Sequence, residues 1–248
     1  MIRRAWPPLF VLVVLFGVWE AYVDLGGVDD LVLASPSQIA KSIYNDRSLL
    51  LDNLRVTAEE VGFGILLSVA VGFALGVLLH WSDIARRALY PLIVGSQAVP
   101  LVVFAPLLVY WVGFGILPKL VIIALICFFP VVVTTYDGLR AVDPELRKLM
   151  RTLDATRWQT FRIAELPAAL PAALSGARIA VAVGVIGAFL AETAGSTAGL
   201  GHLLLQSIPA LETPRAFASA VVMAGFAIAL FYALGVAERR LLSYRGTP

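Results

Sequence analysis

Residues 153–171 read LDATRWQTFRIAELPAALP, a polar stretch set between two runs of almost pure hydrocarbon. It carries Arg157 and Arg162, Asp154 and Glu165, and two prolines, Pro167 and Pro171. Its lead-in, DPELRKLMRTL, opens with Asp143 as a helix N-cap, Pro144 at the first helical position and Glu145 against the positive end of the helix dipole. Leu146, Leu149, Met150 and Leu153 then recur at i, i+3, i+4 and i+7. They form one apolar stripe, backed by Arg147, Lys148 and Arg151. This helix is predicted to stop near Asp154. Thr156 and Gln159 hold capping-box spacing for a second helix, with Trp158 and Phe161 on one side. Pro167 and Pro171 are predicted to end that helix. The insert 139–170 thus reads as two short helices at an angle, with Leu149, Met150 and Trp158 partly exposed. A connecting loop has no use for such knobs; a docking surface does.

The flanks decide the solvent. The 248-residue chain is 60% hydrophobic and 15% charged, with mean hydropathy +0.88. A soluble domain carries about 25% charged residues, and one globular core cannot bury this much apolar side chain. A bilayer can. A crossing needs roughly 20 apolar residues, and six such segments are read: 7–24, 58–79, 89–112, 117–137, 171–192 and 214–237. No small-x-small cleavage site follows the first, so it is read as a membrane helix and not a signal peptide. Pro91, Pro100 and Pro106 disfavour a straight third span. Such breaks are tolerated where packed protein or a wet cavity satisfies the freed backbone groups. In the second span Gly72 and Gly76, with Ser68 a turn earlier, mark a face for close helix packing. The fold class is therefore all-α integral membrane, one domain over 1–248.

Basic residues set the orientation. With the N-terminus inside, the inner segments hold 13 of the 19 lysines and arginines: Arg3, Arg4, Arg86, Arg87, Arg140, Arg147, Lys148, Arg151, Arg157, Arg162, Arg239, Arg240 and Arg245. The outer segments hold five. Both termini and the insert are accordingly expected on the cytoplasmic side. Arg178, within the fifth span, is expected to snorkel or to pair with an acid such as Asp137. Outside, Ser35-Pro36 is predicted to start an amphipathic surface helix that includes Ile39, Ile43, Leu50, Leu51 and Leu54.

Several function classes drop out. A net charge of +2, distributed by membrane side, argues against nucleic acid as a partner. Cys127 is the only cysteine, and His80 and His202 lack partners at metal-ligand spacing, so no metal site is expected. No phosphate-binding glycine loop is present, so nucleotide chemistry would belong to another chain. An embedded hydrolase would need a nucleophile with its base, and none stands at usable spacing. A carrier driven by an ion gradient would show inverted repeats and buried acids, and no convincing repeat is found.

The run LMRTLDATRWQTFRIAELPAALP resembles the Glu-Ala-Ala loop of ABC importer permeases, in which a helix, a glycine turn, a second helix and LPxxxP precede the fifth span. LASPSQIAKSI, APLLVYWVGFGILPK, CFFPVVVTTYDGL, SGARIAVAVGVIGAFLAE and GLGHLL are similar to the nitrate, sulfonate and taurine branch of these permeases, and together span about 200 residues in order. The triplet itself is Lys148-Leu149-Met150. Leu-Met at those places is the pattern of the thiamine-precursor (hydroxymethylpyrimidine) permeases. Asp154 stands where the family has glycine, in a turn that is expected to be left-handed.

The resemblance implies the six-span type I importer fold in a bacterial inner membrane. It implies a second permease copy in a homodimer, a cytoplasmic ATPase dimer that binds ATP and Mg, and an external binding protein that delivers cargo. The chain itself would bind no cofactor and catalyse nothing. By the same resemblance Arg147, Leu149, Met150, Arg151, Asp154, Thr156, Trp158, Phe161, Pro167 and Pro171 would couple to the ATPase, with Arg147 and Arg151 as ion-pair partners of its groove. Candidates for the translocation path are Gln97, Tyr110, Tyr136 and Glu192, the last read as either functional or merely solvated.

Overall fold

The computed structural model describes residues 2–27, 29 and 31–241, with side chains from residue 10 to 240. Of the basic residues counted above, Arg245 and the side chains of Arg3 and Arg4 lie outside the described residues. Everything regular among the described residues is helical. In chain order the helices are α1 (Ile2–Gly26), α2 (Pro36–Asn45), α3 (Arg47–Trp81), α4 (Asp83–Gly95), α5 (Leu101–Val112), α6 (Ile116–Arg140), α7 (Pro144–Thr152), α8 (Arg157–Thr160), α9 (Leu166–Thr193), α10 (Leu200–Ser207) and α11 (Thr213–Leu241). A 3-10 turn (Ser96–Ala98) extends α4, and a π turn (Phe161–Glu165) joins α8 to α9.

Among the described residues four helices are long and apolar enough to cross a bilayer: Arg47–Trp81, Ile116–Arg140, the continuous run Arg157–Thr193, and Thr213–Arg240. Among the described residues a fifth crossing arises where a bent pair counts as one span, Asp83–Ala98 followed by Leu101–Val112 at 102°. The third span is broken, as its prolines led us to expect, but only one of the three breaks it. Pro91 and Pro106 lie inside helices. At Pro100 the preceding Val99 is extended, with φ −80° and ψ 119°, the conformation that a following proline ring enforces.

The outer surface helix is also corrected. Ser35 does cap α2, accepting from Gln38 N while Gln38 Oε1 accepts from Ser35 N. The chain then turns at Asp46, and Leu50, Leu51 and Leu54 belong to α3.

The chain groups into two units, 1–57 with 197–225 and 58–196 with 226–248. In the first, Asn53 Oδ1 and Thr57 Oγ1 accept from the backbone N–H groups of Gly199 and Leu200, at 2.8 and 2.9 Å. They satisfy donors that a helix N-terminus leaves open. Gly199 has φ 114°, a conformation that other residues rarely enter. Asp46 and Arg215 pair at 3.0 Å in the same unit. The Arg215 guanidinium beside it holds the Asp46 carboxyl below the usual carboxylate range.

The second unit is built on α6 packed along α9, with α3 against α6. Small residues allow the approach: a Cβ at Gly72 would come 2.8 Å from Val131 Cβ, and one at Gly76 would come 2.8 Å from Thr135 Cβ. Ile122, Ile123, Val132, Leu139, Ala180 and Ala188 are fully buried there.

Candidate functional site

Local rules build the insert as the sequence predicts. Asp143 Oδ1 accepts from Glu145 N at 2.8 Å and starts α7. At the other end Ala155 N donates to Met150 O and Asp154 N to Arg151 O, the pair of bonds that closes a helix around a left-handed residue. That residue is Asp154, at φ 51°. Thr156 and Gln159 exchange both capping-box bonds at the head of α8.

The second helix, however, does not end at the prolines. Helix runs from Arg157 to Thr193 through both Pro167 and Pro171. Pro167 has no N–H to give and falls in the first turn of α9, just after the wider π turn, so the break is absorbed instead of propagated. The expectation that Pro167 and Pro171 terminate the insert is corrected accordingly.

The apolar knobs divide into two sets. Leu149, Leu153 and Trp158 are 53%, 67% and 57% exposed, while Met150 and Phe161 are 9% and 5% exposed. Met150 is therefore not a surface knob, and Phe161 lies beside Leu139 and Ala169 in the core beneath the insert. Trp158 bridges the two sets: its ring lies 5.6 Å from Phe161 and 5.8 Å from Trp81, and Trp81 also meets Phe161 at 5.0 Å. Arg157 Nη2 donates to the Trp81 carbonyl at 2.7 Å. These contacts fasten the insert to the end of α3.

The polar side of the insert holds what the sequence reading missed. Glu165 is 7% exposed and accepts from Arg147 Nε at 2.7 Å, while His80 Nε2 stands 3.0 Å from its other oxygen. Arg147 Nη2 also donates to the Leu139 carbonyl at 2.7 Å. Arg147 is thus an internal brace, whereas Arg151 is exposed. A cavity of about 460 Å³ opens beside them, lined by His80, Arg147, Arg151, Arg157, Thr160 and Glu165. Three guanidiniums face one carboxylate there, so the hollow carries excess positive charge.

At the opposite end of the same helices Lys119 Nζ meets Glu60 Oε1 at 2.5 Å between α3 and α6, and the half-buried Ser196 Oγ, just beyond α9, at 2.6 Å. An acid and a base in otherwise apolar spans were the signal for this pair. Arg178 takes Glu238 at 3.7 Å and the Phe231 ring at 4.2 Å, so the expected partner Asp137 is replaced by an acid of α11.

The four path candidates differ in burial. Gln97 and Tyr110 are exposed, Tyr110 at 85%. Tyr136 is buried in the cluster of Leu79, Ile93 and Val132, and its hydroxyl accepts from Arg140 Nη1. Glu192 is 1% exposed, which corrects the reading of a merely solvated carboxylate.

Residues 64–245 match the family model of the binding-protein-dependent transport system inner membrane component. The chain is 35% identical over 240 residues to the formylaminopyrimidine transport permease ThiX of Halalkalibacterium halodurans, covering 96% of this chain and 95% of that one. It is 34% identical to a probable ABC transporter permease of Haemophilus influenzae, over 93% and 94% of the two chains. It is 29% identical to the putative aliphatic sulfonates permease SsuC of Bacillus subtilis, over 96% and 87%. Among solved structures, the inward-facing MetNI methionine ABC transporter matches in fold, with TM-score 0.69 at 19% identity, over 79% of this chain and 97% of that one. The chain belongs to the binding-protein-dependent inner-membrane component family, the permease subunits of ABC importers.

Proposed function

We propose that this chain, acting as one permease domain in a bacterial inner membrane, forms half of the translocation path of an ATP-driven importer. A second copy supplies the other half. A cytoplasmic ATPase dimer, which binds ATP and Mg, docks on the insert, and an external binding protein delivers the cargo. The observation that carries this is the pair of exposed apolar side chains Leu149 and Trp158, held on a doubly capped hairpin around Asp154. Large apolar groups presented on so rigid a frame at a membrane surface suit a protein groove.

In this reading the exposed Arg151 supplies a cation to an acidic rim of that groove. Met150, Thr156, Phe161 and Arg147 hold the face from below, and Pro167 and Pro171 lie in the helix through which it pulls. ATP-driven closure of the ATPase moves the insert as a rigid body and reorients the spans. Leu149→Arg with Trp158→Ala is the test. The double variant inserts normally but loses cargo-dependent ATPase stimulation, and full stimulation would count against the docking face.

For cargo we infer a small heterocycle of the thiamine-precursor pyrimidine class. The support is the 35% identity to a formylaminopyrimidine permease, together with the Leu149-Met150 pair. Sulfonate, taurine or nitrate uptake by the same mechanism is the second reading, favoured by the 29% identity to a sulfonates permease. Gln97 and Tyr110, exposed on the single chain, are placed on the path in either case. Uptake of labelled formylaminopyrimidine into vesicles holding the whole complex, with taurine as competitor, separates the two.

A further inference from the structure

The hollow beside the insert is walled by both of its arms. Arg147 and Arg151, four residues apart, share one face of α7, and Arg157 and Thr160 come from α8, beyond the turn at Asp154. His80 and Glu165 complete the wall. Leu149 lies two residues from each α7 arginine and takes no part in it, since i, i+2 neighbours on a helix do not share a face. The hollow and the exposed leucine thus lie on different sides of α7.

A charge count inside the hollow leaves a remainder. The Glu165 carboxylate is met on both oxygens, by Arg147 Nε at 2.7 Å and by His80 Nε2 at 3.0 Å. Arg147 gives a further N–H to the Leu139 carbonyl, so its charge is matched and its fork committed. Arg151 and Arg157 remain. Among the described residues neither forms an ion pair with an acid. Arg157 donates from Nη2 to the Trp81 carbonyl, which neutralises nothing and leaves its other N–H groups to give. Two unmatched guanidiniums, one from each arm, therefore border one space of about 460 Å³.

The chemistry that fills such a space is a dianion with three or more oxygens. A carboxylate brings one charge and two oxygens, enough for one fork. A phosphate monoester carries about −1.5 to −2 at pH 7, and guanidinium forks match its oxygens in pairs. The volume falls within the roughly 300–1,000 Å³ of ordinary small-molecule sites, so there is room for the phosphate and part of the body that bears it.

We propose that this hollow is a phosphate-monoester site, with the anion held between Arg151 of α7 and Arg157 of α8 and the Thr160 hydroxyl as a further donor. Bound there, it ties the two arms of the insert together across the Asp154 turn. The phosphate comes either from a soluble monoester or from the headgroup of phosphatidic acid. The site stands on the hollow and its charges and does not require an ATPase. Arg151 figures in the docking reading as well, so the test uses the full-length chain without its ATPase and measures binding alone.

The chain in phosphatidylcholine nanodiscs is titrated with radiolabelled orthophosphate. One phosphate per chain is expected to bind saturably at millimolar concentration or below. Arg151→Gln and Arg157→Gln should each weaken it about tenfold or more, the worth of a charge-assisted hydrogen bond. Lys148→Gln removes the same charge from an exposed neighbour outside the hollow and should change binding less than about twofold. If Arg157→Gln fails to fold through loss of its bond to Trp81, Arg151→Gln carries the comparison, since that side chain is exposed. A second sample is made in nanodiscs containing phosphatidic acid, extracted into neutral detergent and weighed by native mass spectrometry. Retention of one phosphatidic acid per chain, lost in Arg151→Gln and kept in Lys148→Gln, identifies the lipid as the source where orthophosphate does not bind. Absence of both orthophosphate and retained lipid overturns the site. Equal loss in Arg151→Gln and Lys148→Gln overturns it too, because the attraction would then belong to the surface at large.

Discussion

Gly176 of α9 lies so close to Thr134 of α6 that a Cβ there would overlap Thr134 Oγ1 and come 2.9 Å from the Pro130 carbonyl oxygen. That hydroxyl is already committed, donating to the same carbonyl at 2.7 Å. Neither atom has room to retreat. Gly176→Ala should therefore destabilise the helix pair by roughly 1–3 kcal/mol, the ordinary cost of overpacking. Gly62→Ala, where nothing lies within 4 Å, should be neutral or slightly stabilising. Unfolding in mixed micelles measures both, and equal effects at the two sites would contradict this packing.

The Glu60–Lys119 pair makes a sharper energetic prediction. Lys119→Met leaves a buried carboxylate without its cation and should cost about 3–5 kcal/mol. Adding Glu60→Gln removes the stranded charge and should recover more than half of that loss. A double-mutant cycle on the same unfolding assay gives the coupling; simple additivity would mean that the two side chains do not depend on each other.

Asp154 sits at φ 51° in the turn that closes α7. Glycine enters that region freely, whereas other residues do so at about 1 kcal/mol or more. Asp154→Gly should leave the turn bonds to Met150 and Arg151 in place and raise the stability of the insert by up to ~1 kcal/mol, and Asp154→Val should lower it. Protease resistance of residues 144–165 reads the sign. Loss of resistance in the glycine variant would mean that the carboxylate itself holds the turn.

Asp46, at the end of α2 and outside the spans, pairs with Arg215 in the first turn of α11. Its carboxyl is held below the ordinary range, chiefly by the hydrogen bond to that guanidinium, so the pair contributes stability above the unfolded value near about 4. The contribution is lost only as pH falls through the lower, folded value. Asp46→Asn should thus cost under about 1 kcal/mol at pH 7 for so partly exposed a pair, with the difference from the parent closing in acid. Thermal unfolding of both proteins from about pH 7 to 3 follows it. A gap that widens in acid would reverse the sign assigned to Asp46.

What the sequence made legible follows the range of each interaction. The caps at Asp143 and Thr156 and the left-handed turn at Asp154 depend on neighbours within a few residues, and they stand where local rules put them. The close-packing face of Gly72 and Gly76 was legible as well, since small residues at that spacing have few other uses in a membrane helix. Proline was over-read. Of Pro91, Pro100, Pro106, Pro167 and Pro171, only Pro100 interrupts a helix, because the cost of a missing N–H depends on surroundings that a sequence does not display. Burial of Met150 and exposure of Leu149, adjacent residues on one stripe, depend on what packs beneath α7. His80 with Glu165 and Glu60 with Lys119 lie 85 and 59 residues apart, and no periodicity reports such pairs. The same holds for the path candidates, two exposed and two buried, since burial of each depends on what packs against it.

One measurement bears most directly on the account: a photo-crosslinker placed at residue 158, activated in the native membrane, followed by mild-detergent purification and mass spectrometry. Trp158 is 57% exposed on the insert and so reaches whatever docks there. The account predicts a crosslink to an ABC ATPase recovered in equal amount with this chain, strengthened when ATP is trapped. A chain that emerges without an ATPase, crosslinked only to itself or to lipid, would contradict the docking face and the importer mechanism built on it.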